Sequence, residues 1–233
     1  MKLPATALAR YGKSILTVLL VQTVLACQPA PRVEISDLAG HRAEATAIRN
    51  MVAQGIMLTG EQGRFRPDTP TTRAELAASV QRLFDLKPPA QVKDFPDVPP
   101  GSPLYMAVQS VGPYLGRQIL CFGCALISNF LPDEPASQLE TAVLLTNVLR
   151  AENKVQLLTE AQAEAVLADV TDAKTLRGAP LRVYAATAIQ AEIIKPPPAN
   201  PFVLASFPSR AQTAVVLDNV QKTFKMPMVR PGY

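Results

Sequence analysis

An all-helical fold, made of three copies of one helix-loop-helix unit, is predicted by three observations. The helix-start pattern Ser/Thr-x-x-Glu/Gln occurs at Thr72-Arg73-Ala74-Glu75, Ser137-Gln138-Leu139-Glu140 and Ser209-Arg210-Ala211-Gln212, at intervals of 65 and 72 residues. A phenylalanine stands ten residues before the last member of each pattern, at Phe65, Phe130 and Phe202. Behind each pattern the apolar residues fall three and four apart, the spacing of one buried helix face. One such start is common by chance. Three in a shared register are a repeat.

In this pattern the Ser or Thr hydroxyl accepts from the backbone N–H three residues on, and the Glu or Gln side chain reaches back to the cap N–H. The helices behind these caps are predicted over residues 73–85, 138–150 and 210–224. Their buried faces are Leu76, Val80, Leu83 and Phe84, then Val143, Leu144, Val148 and Leu149, then Val215, Val216, Val220 and Phe224. A first helix precedes each, over 43–54, 104–115 and 181–191, and a bridging helix over 160–168 starts at the cap Thr159. Every unit opens on an apolar-x-Asp-apolar step around Asp37, Asp97 or Asp169. Two short helices cannot bury an apolar face alone, so the three units should pack around a shared centre. The units span 34–90, 91–158 and 159–226, with a linker at 27–33 and a tail at 227–233.

The first 26 residues are of another kind. Lys2, Arg10 and Lys13 precede an apolar run over 15–26 that is broken only by Thr17, Gln22 and Thr23. About 12 residues is too short for a bilayer-spanning helix, which needs about 20. A basic start before a short apolar run reads as an export signal. Its end, Val24-Leu25-Ala26-Cys27, resembles the bacterial lipobox. That resemblance implies a signal peptide over 1–26 and lipidation of Cys27, hence an anchor in a membrane; the alternative is ordinary secretion with an incidental Cys. Of the 23 basic residues three precede Cys27, and none of the 19 acidic ones does. The chain from Cys27 onward is nearly neutral, and binding to nucleic acid loses its compositional support.

The first unit carries Gly40-His41, Gly55-Ile56, Gly63-Arg64-Phe65-Arg66-Pro67-Asp68 and Thr72-Arg73-Ala74-Glu75. These residues resemble the S-layer homology family, and three such units would cover most of the chain after Cys27. The resemblance implies a pseudo-threefold arrangement, with the second helices around a central bundle. It also implies non-covalent binding of cell-wall polysaccharide, often pyruvylated, or of a peptidoglycan-linked polymer, in grooves between repeats. Carried over by position, the ligand-facing candidates are Arg73 and Arg210. Gly63 is a close-approach position, and Asp37, Asp97 and Asp169 are loop-ordering or polar groups. A cation in the first helical turn opposes the helix dipole, but beside free N–H groups it would complete an anion site. His41, read first as a local turn contact, and Arg42, where family members commonly carry Trp, complete the set. The second unit has Gln138 for the Arg and Ser128 for the Gly; the third has Pro196-Pro197-Pro198 and Asn200. One groove, at the first unit, stays close to the family pattern.

Cys121 and Cys124 lie on an insertion of the second unit. In an oxidising compartment a local disulfide is the preferred reading. A redox pair would need a βαβ context, and a metal site two more ligands nearby. No phosphate loop, nucleophile elbow or Cys/His pair marks a catalytic centre, so neither catalysis, cofactor nor metal is expected. The function expected is that of a lipid-anchored envelope protein, on the periplasmic face of an outer membrane or the outer face of a cytoplasmic one, tethering membrane to wall. The alternative is a protein–protein scaffold whose glycan grooves have degenerated.

Overall fold

The computed structural model describes residues 34–91, 95–115, 129–170, 173–176, 180–195 and 204–229. The chain divides into two units, Met1–Arg32 and Val33–Tyr233, and the description concerns the second. The described residues hold seven α-helices and no strand: α1 (Ala45–Ala53), α2 (Arg73–Leu83), α3 (Tyr105–Val111), α4 (Gln138–Ala151), α5 (Glu160–Val166), α6 (Leu181–Gln190) and α7 (Arg210–Thr223). The all-α fold class holds. Capping boxes open α2, α4, α5 and α7 at Thr72, Ser137, Thr159 and Ser209, each with both of its reciprocal hydrogen bonds.

Helix ends arise from local chemistry. Residues Asp85, Asn153 and Lys225, just past α2, α4 and α7, take φ of 49°, 55° and 50°. That left-handed step lets Leu86, Lys154 and Met226 donate to the carbonyls of Gln81, Leu149 and Gln221 at 2.8–2.9 Å, which satisfies carbonyls that the helix leaves open. The third helix is shorter than the expected 104–115. It stops at Val111, and Gly112–Tyr114 turns as a 3-10 helix, because Pro113 has no N–H to continue an α-helix.

Each first helix packs on the second helix of a different unit: α3 on α2, α6 on α4 and α1 on α7. The shared core is built from Ile48, Met51, Leu76, Val80, Val108, Leu145, Val148, Leu217 and Val220, none of them more than 3% exposed. Phe65 and Phe130 are also buried, and Phe130 meets Phe95 edge-to-face at 5.6 Å between centroids. Phe202, third of that aromatic set, lies outside the described residues. Burying one such side chain contributes about 1.5–3 kcal/mol, which is what fixes the helices that carry the site.

Candidate functional site

The first turns of α2, α4 and α7 are bound to loops of other units in one register. Arg73 and Ala74 donate their N–H groups to the carbonyls of Glu134 and Pro132, at 2.9 and 3.0 Å. Gln138 and Leu139 donate likewise to Ser206 and Leu204, at 2.7 and 2.9 Å. Arg210 and Ala211 donate to Thr69 and Pro67, at 2.9 and 3.0 Å. Isolated bridges at Pro70–Ser209 and Thr72–Pro135 lie beside these contacts. The first unit thus holds the second, the second the third, and the third the first.

This corrects the anion-site expectation for Arg73 and Arg210, because the N–H groups beside them are not free. The side chains are engaged as well. The Nε and Nη2 of Arg73 reach Glu140 Oε1 at 2.8 and 2.7 Å, with both side chains largely buried. Arg210 is 3% exposed. It donates from Nε to the Phe65 carbonyl and from Nη2 to the Leu58 carbonyl, both at 2.7 Å, and its Nη1 pairs with Glu75. Its guanidinium carbon also sits 4.7 Å above the Phe65 ring centroid, a cation–π contact. Burial, the largest influence, holds the Arg210 guanidinium below its ordinary pKa against the opposing pull of Glu75. Glu75 and Glu140 therefore cap their own helices and tie a neighbouring one. At the third junction Gln138 replaces the arginine and Gln212 the glutamate, so charge is absent from both members together.

Asp37 and Asp97 order loops. Asp37 accepts from the N–H groups of Phe65 and Arg66 at 2.8 and 2.7 Å, and Asp97 accepts from Phe130 and Leu131 at the same distances. Arg66 and Leu131 each have φ of 58°, a conformation non-glycine residues rarely hold without such support. Asp169 is exposed, and residues 202–203, the counterparts of these donors, lie outside the described residues. Burial alone would raise the Asp37 carboxyl, but the two N–H donors, with Arg64 nearby, outweigh it and hold it below its ordinary value. A carboxyl depressed on folding contributes stability above its unfolded pKa, about 3.9, which is lost as pH falls through the folded value. Unfolding midpoints measured between about pH 5 and about pH 2 should fall less steeply in Asp37→Asn than in the wild type.

Gly63 is a close-approach position, but what approaches is the protein's own backbone. Its φ is +68°, and a Cβ there would stand 2.6 Å from the Glu34 carbonyl oxygen. Ser36 fastens the same crossing, donating from N to Gly63 O and from Oγ to Gln62 O at 3.2 and 3.1 Å. Gly63→Ala is expected to lower stability by about 1–3 kcal/mol in urea unfolding. Gly60→Ala, where the nearest atom would be 3.8 Å from the new Cβ, should leave it within about 0.5 kcal/mol. His41 places Nδ1 3.9 Å from Glu44, three residues on, and Nε2 3.3 Å from Asp68, 27 residues away. Arg42 is exposed. Cys27, Cys121 and Cys124 lie outside the described residues.

Beside the Arg210–Glu75 tie opens a groove of about 260 Å³. Its walls include Leu58, Gly60 and Leu104, with Ala74, Glu75, Ala78, Ser79 and Arg82 along α2, and Arg66 and Arg210 at one end. Its lining holds three arginines and one carboxylate. Arg66 is exposed and holds Glu75 at 3.0 Å. Arg82 is half-buried, and its Nη1 donates to the Ile56 carbonyl at 3.3 Å; burial depresses its guanidinium pKa. Arg66, Ser79 and Arg82 are site residues that sequence reasoning missed. The i, i+3, i+7 spacing of Glu75, Ala78 and Arg82 on one helix face was the available signal.

The described chain is thus a helical protein of recurring loop–helix units, cross-tied at their helix starts, with a basic groove lined mainly by the first and closed by Leu104 and Arg210 of the others. Residues 34–77 match the family model described as the S-layer homology domain. Domains of this kind are generally wall-binding modules of cell-envelope proteins. None of the curated proteins matches the chain.

Proposed function

We propose that this chain is a non-catalytic envelope protein that binds acidic cell-wall polysaccharide, with lipid on Cys27 holding it to a membrane and so tethering membrane to wall. The groove that the matched residues line together with Ala78, Ser79, Arg82, Leu104 and Arg210 carries the reading. It is open, its sides are partly apolar, and its cations outnumber its carboxylate three to one. The apolar sides suit the C–H faces of sugars and the arginines suit oxyanions, pyruvyl ketal carboxylates among them. The three tied helix starts support a pseudo-threefold arrangement of the repeats, and the register of their contacts is the reason.

Co-sedimentation of the full chain with purified wall sacculi tests the binding. Retention that weakens as salt is raised is expected, since the attraction is largely ionic. A supernatant holding all the protein at low salt would remove the proposal. Palmitate labelling lost in Cys27→Ser tests the anchor. Leu58, 54% exposed on the groove wall, favours a second reading, a protein–protein scaffold. Stoichiometric copurification of one envelope protein, without wall retention, would support it.

A further inference from the structure

We propose that the junction between the second and third units is the release point of the described units, the first of the three junctions to open at the helix starts. This holds whatever the groove binds. The residue before each helix cap is Thr71, Ala136 or Pro208. Ala136 donates its N–H to the Thr71 carbonyl at 2.9 Å, and Thr71 donates to the Pro208 carbonyl at 3.0 Å. The same step from Pro208 to Ala136 cannot form, because proline has no N–H. Among the described residues no hydrogen bond reaches the Ala136 carbonyl, although Ala136 is 1% exposed. A buried carbonyl without a donor is a cost of the closed junction, and water relieves it when the junction opens.

The side chains divide in the same way. Between the first and second units Arg73 binds Glu140. Between the third and first, Arg210 holds Phe65, Leu58 and Glu75, and the buried hydroxyls of Thr71 and Thr213 pair at 2.7 Å. Between the second and third, Gln138 makes no side-chain hydrogen bond among the described residues, and Gln212 turns its Oε1 back to the Ser209 N–H. The isolated bridges Pro70–Ser209 and Thr72–Pro135 likewise belong to the other two junctions. Loss of charge alone need not weaken a buried contact; the deficit is in hydrogen bonds. What ties this helix start is the N–H groups of Gln138 and Leu139, on the Ser206 and Leu204 carbonyls. Because α6 still packs on α4, the opening is confined to the end where residues 204–208 meet the start of α4. Such local openings have free energies below that of global unfolding.

Native-state hydrogen exchange of the full chain, read residue by residue and corrected for intrinsic rates, tests this. Gln138 and Leu139 are expected to exchange roughly tenfold faster than Arg73, Ala74, Arg210 and Ala211. Pro208→Ala supplies the missing donor and should slow Gln138 and Leu139 about threefold, leaving the other amides unchanged. Ala136→Pro moves the gap to the junction of the first and second units, at a position whose counterpart already holds proline. It should speed Arg73 and Ala74 about threefold. Wild-type exchange at Gln138 and Leu139 equal to or slower than at the other amides overturns the inference, and needs no variant. Fast exchange there that Pro208→Ala leaves unchanged overturns it too. If Pro208→Ala loses its helical circular dichroism, Ala136→Pro decides, and unchanged exchange at Arg73 and Ala74 counts against the inference.

Discussion

Arg210→Met is expected to lower the stability of the protein by about 3–5 kcal/mol, read as a fall in the urea midpoint. Methionine keeps much of the side-chain stem and removes the charged donors. The carbonyls of Phe65 and Leu58 each lose a donor, and Glu75 loses one of its two arginines. A buried acceptor left without a partner costs about 1–3 kcal/mol, and breaking a buried ion pair from one side leaves the other charge poorly compensated. Arg210 also connects residues far apart in the chain: it belongs to α7, and its partners Leu58, Phe65 and Glu75 all belong to the first unit. The loss should therefore loosen the contact between chain-distant units, and α1, which packs on α7, should gain hydrogen exchange. A loss below about 1 kcal/mol would show the guanidinium to be a surface group.

Glu140→Gln should cost about 2–4 kcal/mol, because it leaves the Arg73 charge, largely buried, without its carboxylate. Glutamine still closes a capping box, as Gln212 does on α7, so the cost isolates the charge from the cap. Adding Arg73→Gln should recover most of the loss. The double variant reproduces the neutral pairing of residue types at the Gln138 and Gln212 positions, and removing both charges avoids an uncompensated one. A double-mutant cycle should give a coupling of about 1.5 kcal/mol or more. Additive losses would mean that the arginine and glutamate act separately.

The helix starts and the buried Phe65 and Phe130 were legible because each depends on residues close in sequence or on a repeated offset. A capping box closes over three residues, and the same box recurs at Thr72, Ser137 and Ser209. The loop-ordering role of Asp37 and Asp97, whose partners are 28 and 33 positions away, came only from the family resemblance. The shorter α3 was also legible, since Pro113 stands inside the stretch expected to be helical. What the arginines do was not. Arg73 and Arg210 stand at the same place in their helices as a ligand-facing residue would, and their partners Glu140 and Glu75 are 67 and 135 positions away. A trace of the answer was present: arginine is lost at Gln138 and glutamate at Gln212, which are partners only if each unit reaches to the next. Gly63 was marked as a close approach, but nothing local says that Glu34 is what it approaches. Arg82 looks like any exposed helix residue until packing half-buries it on the groove.

Photo-crosslinking from the groove wall tests most directly whether this groove holds the wall polymer. A benzophenone amino acid replaces Leu58, an exposed groove residue, in one variant. In the other it replaces Lys154, which lines a separate cavity between the ends of α4, α6 and α7. Irradiated with solubilised wall glycan, the Leu58 variant is predicted to become labelled with polymer and the Lys154 variant to stay unlabelled. Equal labelling of the two, or labelling at Lys154 alone, would contradict the assignment of the groove.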